Sequence, residues 1–186
     1  MNYSGSFKQD KDLTEKIRQV PGVKTVSPIL FGQAMIRTKR SFSGVMIRGI
    51  TPENGTALIK GYTTEQLEKH LAPDNTAIPL PGIILGKELA NSVGVIPGDR
   101  IVLMSASGII SPMGQIPAMK QFVVTGTFKS GMSEYDGMLA YADLAHVQSL
   151  VSAKGKLSAL GIWVDSVFDV KNLAEKHLEF IDYPFY

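Results

Sequence analysis

The chain contains no cysteine. That excludes a disulfide framework, a cysteine nucleophile and a thiolate zinc site. It leaves the compartment open, because periplasmic and cytosolic chains alike can lack cysteine. An excess of charge is also missing: 19 Lys and Arg against 17 Asp and Glu leave a net +2. Such a balance gives no argument for a nucleic-acid partner or an anionic membrane surface. No apolar run approaches the roughly 18 residues that a membrane-spanning helix needs. The start, "MNYSGSFKQDKD", lacks the apolar centre of a signal peptide. Two expectations follow, a cytosolic protein or a soluble piece of a larger one. The aromatic ending "FIDYPFY" favours the second.

What is present is a folded chain. It has 186 residues, 44% of them apolar and 19% charged, enough for a real core. Residues 10–20 read as a helix, with Leu13, Ile17 and Val20 on one stripe, Asp12 and Glu15 as a cap pair and Pro21–Gly22 as the stop. "VKTVSPIL", "QAMIRT" and "SGVMIRGI" read as three strands, rich in β-branched residues and bounded by Gly, Pro and Ser. "TTEQLEKHLA" is a short helix with Thr63 and Gln66 at capping-box spacing. Residues 73–82 hold three prolines and form a connector. A buried strand "IIL" follows, then a helix closed by Gly94 and a Pro97–Asp99 turn. "RIVLMS", "KQFVVTGTF", "GMLAY" and "ALGIWV" are strands. "DLAHVQSLV" is a helix from an Asp143 cap, and "DVKNLAEKHLEF" is a last helix capped by Asp169. Short strands with scattered helices, and no regular βαβ alternation, indicate an α+β fold. The Gly/Pro-dense stretch 73–135 reads as a β-rich subdomain inserted between an αβ part built from 1–72 and 136–186.

The search for catalytic chemistry is thin. His70, His146 and His177 all fall on predicted helices, and none stands at ligand spacing with another. There is no nucleophile elbow and no P-loop; "GIILGKEL" lacks the glycine spacing and the Ser/Thr of a phosphate cradle. No cofactor or metal is therefore expected. Glu134 and Asp136, two apart, read as a solvated turn. Gly98 and Asp99 in "GVIPGDRI" read as turn residues. Trp163, the one tryptophan, faces away from Leu160, Ile162 and Val164 and reads as packing against a covering element.

One stretch breaks the rule that turns are polar. "GIISPMGQIPAMKQF" (108–122) joins two strands with three Ile, two Met and two Pro, and its only charge is Lys120. Pro112 and Pro117 bracket "MGQI", and Gly114 supplies the turn. One reading is a hairpin folded back on its own domain. The other is a stiffened docking arm anchored by Ile109, Ile110, Met113 and Ile116, which prolines pre-order at less entropic cost. One buried Ile or Met contributes roughly 1.5–3 kcal/mol, against an association cost of about 4–15 kcal/mol. Three or four anchors together suffice; one does not. Residue chemistry alone leaves the two readings open.

Three blocks, "GVMIRGITPE" (44–53), "PGIILGKELANSVGVIPGDRIVLM" (81–104) and "SPMGQIPAMKQFVVTGTFKSGMSEYDGMLAYADLAHVQSL" (111–150), resemble the periplasmic domain of lipoprotein-releasing ABC transporter permeases, the LolC/LolE family. "IRQVPGVKTVSPIL" is similar to its first helix and strand. MacB-type and FtsX-type permeases share this type of domain. The resemblance implies a porter-like αβ part from both chain ends and an inserted β-rich, Sabre-like part carrying a hook hairpin over 105–120. It implies a soluble periplasmic region of a multi-pass inner-membrane protein, with ATP hydrolysis in a separate LolD-type subunit and pairing with a second permease. The family extracts lipoproteins and passes them to a LolA-type carrier. In the LolC type, the hook recruits that carrier, and "SPMGQIP" matches it, with Pro112 near the tip. Lys120 fills a basic position at the hook base, but Met119 and Ile101 stand where polar residues are expected. The carrier-binding set implied is Ile109, Ile110, Pro112, Met113, Gly114, Ile116, Pro117 and Lys120. The alternatives are a MacB-like or FtsX-like domain with a different partner, and a soluble enzyme on a small β-barrel.

Overall fold

A computed structural model describes residues 6–74, 77–111 and 114–164. The chain begins with strand β1 (Phe7–Lys8), helix α1 (Lys11–Arg18), and strands β2 (Val23–Arg37) and β3 (Phe42–Ile50). Helices α2 (Pro52–Gly55) and α3 (Thr64–Leu71), strand β4 (Gly82–Gly86) and helix α4 (Lys87–Val93) follow. Then come β5 (Arg100–Ser111), β6 (Gly114–Phe128), α5 (Ser133–Met138) and β7 (Leu139–Asp143). The described part ends with α6 (Leu144–Leu150), β8 (Lys156–Leu157) and β9 (Ala159–Val164). The mixed α/β composition expected from the sequence is present. The helix expected at 169–180, with His177, lies outside the described residues.

Local signals place most helix ends. Thr63 and Gln66 form the full capping box: the Thr63 hydroxyl accepts from the Gln66 N–H at 3.3 Å, and the Gln66 side chain accepts from the Thr63 N–H at 2.9 Å. Gly94 closes α4 at φ 69°, the left-handed conformation that lacks a Cβ penalty only in glycine. Asp143 caps α6 by accepting from the Ala145 and His146 N–H groups. The cap of α1 is corrected: Asp10, not Asp12, accepts from the Leu13 N–H at 3.0 Å.

"VKTVSPIL" and "QAMIRT" are not two strands but one, the 15-residue β2. Gly32, which reads as a break, lies inside it. A Cβ there would stand 2.6 Å from Val151 Cγ1. The glycine therefore admits a neighbouring side chain and ends nothing. This long strand serves two neighbours. Its first half, Val23–Ile29, pairs with β9; its second half pairs with β3 from Leu30 and with β5 at Met35–Arg37.

The strand order is β3-β7-β4-β6-β5-β2-β9, with β3 also paired to β2. Strands β2, β3, β7, β4, β6 and β5 thus close into a ring. The β3–β7 and β4–β6 pairs are parallel and the others antiparallel. Inside sit Ile36, Val45, Ile47, Ile83, Leu85, Ile101, Leu103, Phe122 and Val124, with α4 and α6 contributing Leu89, Val93, Val147 and Leu150. A second cluster lies outside the ring: Leu67 and Leu71 of α3 pack on Ile84, Phe128, Leu139 and Tyr141. Helix α3 thus covers one stretch of the outer wall.

Two turn readings divide. Gly98 has φ 101°, and the Asp99 carboxylate accepts from the Ile96 N–H at 2.9 Å, as a turn residue should. Asp136 is no solvated turn residue. It is 2% exposed, and its carboxylate accepts from the Ser130 N–H at 2.8 Å. Burial pushes its acidity down, but hydrogen bonds from Ser130 and Gly131 and the charge of Lys129 outweigh it, so the carboxyl lies below its ordinary range. Trp163 is half-buried, and its ring lies over Gly161 two residues back, where a Cβ would be.

Candidate binding ribbon and methionine wall

The oily connection is mostly strand. Strands β5 and β6 pair from Arg100↔Val123 to Ser111↔Gly114, so the sequence boundary drawn at Ser105 is too short by six residues. Within the barrel, β5 is held by β2 at Val102–Met104, and β6 by β4 from Val123 onward. From Ser105 to Ala118 the two strands pair, among the described residues, with each other alone. This distal part is a two-stranded ribbon beyond the barrel edge.

The ribbon has a bulge at its base. Ser105 pairs with Ala118 and Ile109 with Ile116, so Ala106, Ser107 and Gly108 all stand opposite Pro117. Proline has no N–H to give to a ladder, so slippage opposite it costs no hydrogen bond. The bulge is tied down. The Ser107 N–H donates to the buried Ser105 hydroxyl at 3.2 Å, and the Ser152 hydroxyl donates to the Ser107 carbonyl at 2.8 Å. Ser152 follows α6 and holds φ 55°, the one non-glycine residue in the left-handed region among the described residues.

The candidate residues distribute along this ribbon. The backbones of Ile109 and Ile110 pair with Ile116 and Gln115. Gly114 opens β6 at φ 117° and is exposed. Ile116 is 57% exposed and Pro117 partly so. Pro112 and Met113 lie outside the described residues. Lys120 differs from the rest. It pairs with Leu103 and shares the parity of the buried Phe122 and Val124, so it points to the barrel side, at the rim. Desolvation lowers its affinity for a proton, with Asp143 opposing; the same burial, together with Lys120, lowers that of His146. Lys120 therefore faces the start of α6, while Met119 faces out.

Sequence reasoning missed the surface next to the ribbon. Register places Met35, Met104 and Met119 side by side on the outer wall of β2, β5 and β6, with Gly44 of β3 beside Met35. Met35 is 48% exposed and Met119 56%. Met46, Phe42 and Phe31 are also exposed on the same wall. Arg48 borders it, 4.7 Å above the Phe31 ring and 3.4 Å from the Tyr141 hydroxyl, to which it donates. Residues 23–52 and 100–133 contain no Asp or Glu, while Lys24, Arg37, Lys39, Arg40, Arg48, Arg100, Lys120 and Lys129 fall there. Strands β2, β3, β5 and β6 thus carry cations and no carboxylate, and Gln33, paired with Met46, is exposed among the apolar side chains of the wall. The visible signal was that acid-free run together with methionines alternating with core residues.

Among the described residues there is no group of three His, Cys, Asp or Glu that could hold a metal, and no helix is long and apolar enough to cross a membrane. No protein-family model matches the chain. It is 31% identical over 135 residues to the lipoprotein-releasing system transmembrane protein LolC of Xylella fastidiosa strain Temecula1, covering 73% of this chain and 32% of that protein. It is 31% identical over 130 residues to LolC of Neisseria meningitidis serogroup B, covering 68% and 29%. The chain thus spans about a third of the length of the curated relatives it matches. In fold it is similar to the periplasmic region of MacB from Actinobacillus actinomycetemcomitans, with TM-score 0.60, 9% identity and coverage of 94% and 74%. It is also similar to the extracellular domain of the transporter YknZ from Gram-positive bacteria, with TM-score 0.57, 14% identity and coverage of 92% and 84%. The chain therefore belongs with LolC, the transmembrane protein of lipoprotein-releasing ABC systems, over about a third of that protein's length, and it has a fold like that of the MacB periplasmic region.

Proposed function

We propose that this chain is the periplasmic region of a lipoprotein-releasing ABC permease and that its β5–β6 ribbon recruits a LolA-type soluble carrier. Lipoprotein drawn from the inner membrane is then handed to that carrier. The region itself is not an enzyme; ATP hydrolysis belongs to a LolD-type subunit, which it meets, like a second permease, through membrane parts. The observation that carries this reading is the ribbon itself: it leaves the barrel, is tied at its base by Ser152, and shows Ile116 to solvent. An apolar side chain held clear of the core on a braced ribbon gains free energy only when a partner covers it. The acid-free strands beside it favour encounter with an acidic partner surface.

The test is a titration of the chain with its cognate carrier, wild type against Pro112→Ala and Met113→Asp. Weakened binding in both is expected. If both bind as wild type does, the ribbon is not the docking element. A second reading, a MacB-like or FtsX-like domain with another partner, draws on the fold likeness to MacB and YknZ. Binding to an outer-membrane channel protein or a cell-wall hydrolase, with none to the carrier, selects it.

A further inference from the structure

Methionine is a common core residue, yet no methionine belongs to the described core of this chain. Met35, Met46, Met119, Met132 and Met138 are all exposed, and Met104 is half-buried. Three of them, Met35, Met104 and Met119, form one cross-strand row on the outer barrel wall. Directly opposed residues on one face of neighbouring strands stand about 4.5–5.5 Å apart at Cβ. The flexible thioethers therefore form one continuous apolar strip. Gly44, next in the same row, puts no side chain beside Met35, and nothing lies within 4 Å of where its Cβ would stand. The strip is open to small solutes from that side.

We propose that Met35, Met104 and Met119 are a reversible oxidation site for peroxide-class oxidants. Hydrogen peroxide transfers one oxygen to each thioether sulfur: a sulfur lone pair attacks the O–O bond, an S=O group forms, and water leaves. The sulfur loses two electrons and the peroxide gains them, with no further reactant. The product replaces an apolar strip with polar sulfoxides, which methionine sulfoxide reductases return to thioethers. Because the described core holds none of these sulfurs, the fold survives a change that makes this row of the wall polar. The consequence for carrier docking rests on the function proposed above; the oxidation site does not.

The experiment treats the 186-residue chain with hydrogen peroxide and locates added oxygen by peptide mass analysis. Met35, Met104 and Met119 each gain one oxygen, with Met104 the slowest. The melting temperature stays within about 3 °C, a shift that corresponds to a surface change in a domain of this size. The oxidised chain leaves an octyl-bearing column earlier than the reduced one. A pair of reductases, one per sulfoxide epimer, restores its retention. A Met35→Leu/Met104→Leu/Met119→Leu variant keeps an apolar row, and peroxide shifts its retention less than that of wild type, the rest of the shift coming from the exposed Met46, Met132 and Met138. The proposal is overturned if the row stays reduced while Met132 is oxidised, if oxidation unfolds the chain, or if the leucine variant responds as wild type does. Carrier binding forms a separate arm: a chain that binds the carrier before oxidation binds at least tenfold more weakly after it. A chain that never binds the carrier defeats the docking reading, and the column arm then decides the oxidation site.

Discussion

Replacing Ile116 with alanine isolates the apolar contribution of the ribbon. Ile116 is 57% exposed in the free chain, so that share of its surface is available for a partner to bury. Complete burial of an isoleucine side chain contributes about 1.5–3 kcal/mol. The available share therefore amounts to roughly 0.9–1.7 kcal/mol. Alanine retains the Cβ, which places the expected loss near 1 kcal/mol, or about a fivefold rise in the carrier Kd. The same exposure means that the fold scarcely uses this side chain. Its removal should change unfolding free energy by less than about 0.5 kcal/mol, as surface substitutions do. Calorimetric titration with the carrier reads the first quantity, and urea unfolding the second. An unchanged Kd would refute the ribbon's apolar role. A stability loss above about 2 kcal/mol would show instead that Ile116 packs against its own domain, as core truncations do.

Gly82→Ala should prevent normal folding, because the new Cβ would strike the His70 carbonyl oxygen, whereas Gly44→Ala, with nothing within 4 Å, should melt like wild type; far-UV dichroism on heating separates them. Ser152→Ala removes the hydrogen bond to Ser107 and should cost about 1 kcal/mol, with faster amide exchange at the ribbon base; Ser152→Gly, which also relieves φ 55°, should cost less. Asp136 has a folded-state pKa below its unfolded value of 3.8, so its contribution is fully present above that value and is lost as pH falls through the folded one. Denaturant unfolding from pH 7 to pH 2 should show this loss in wild type and a flatter acid limb in Asp136→Asn.

The parts of the fold legible in the sequence are those set by neighbours within a few residues. The Thr63–Gln66 capping box, the left-handed Gly94 and the Asp143 cap each need one turn of chain and nothing else. The parts misread depend on contacts from far along the chain. Gly32 looks like a strand end until Val151 is seen to occupy the space above it. Asp136 looks like a solvated turn residue until burial places it against Ser130. The ribbon stood out in sequence because an apolar, proline-bracketed connection is costly in water unless something covers it. The methionine row did not, because its three members are separated by 69 and 15 residues and share a face only through strand register.

By itself, then, the sequence determined the caps of α3, α4 and α6, the strand periodicity, the mixed α/β class and the unusual chemistry of residues 108–122. Those properties follow from short-range backbone sterics and side-chain alternation. Tertiary structure alone decided that β2 serves two neighbours, that six strands close into a ring, and that α3 covers one stretch of its outer wall while the methionines remain bare. The physical reason is that alternation sorts side chains into two faces, but only the packing of distant elements determines which face is buried.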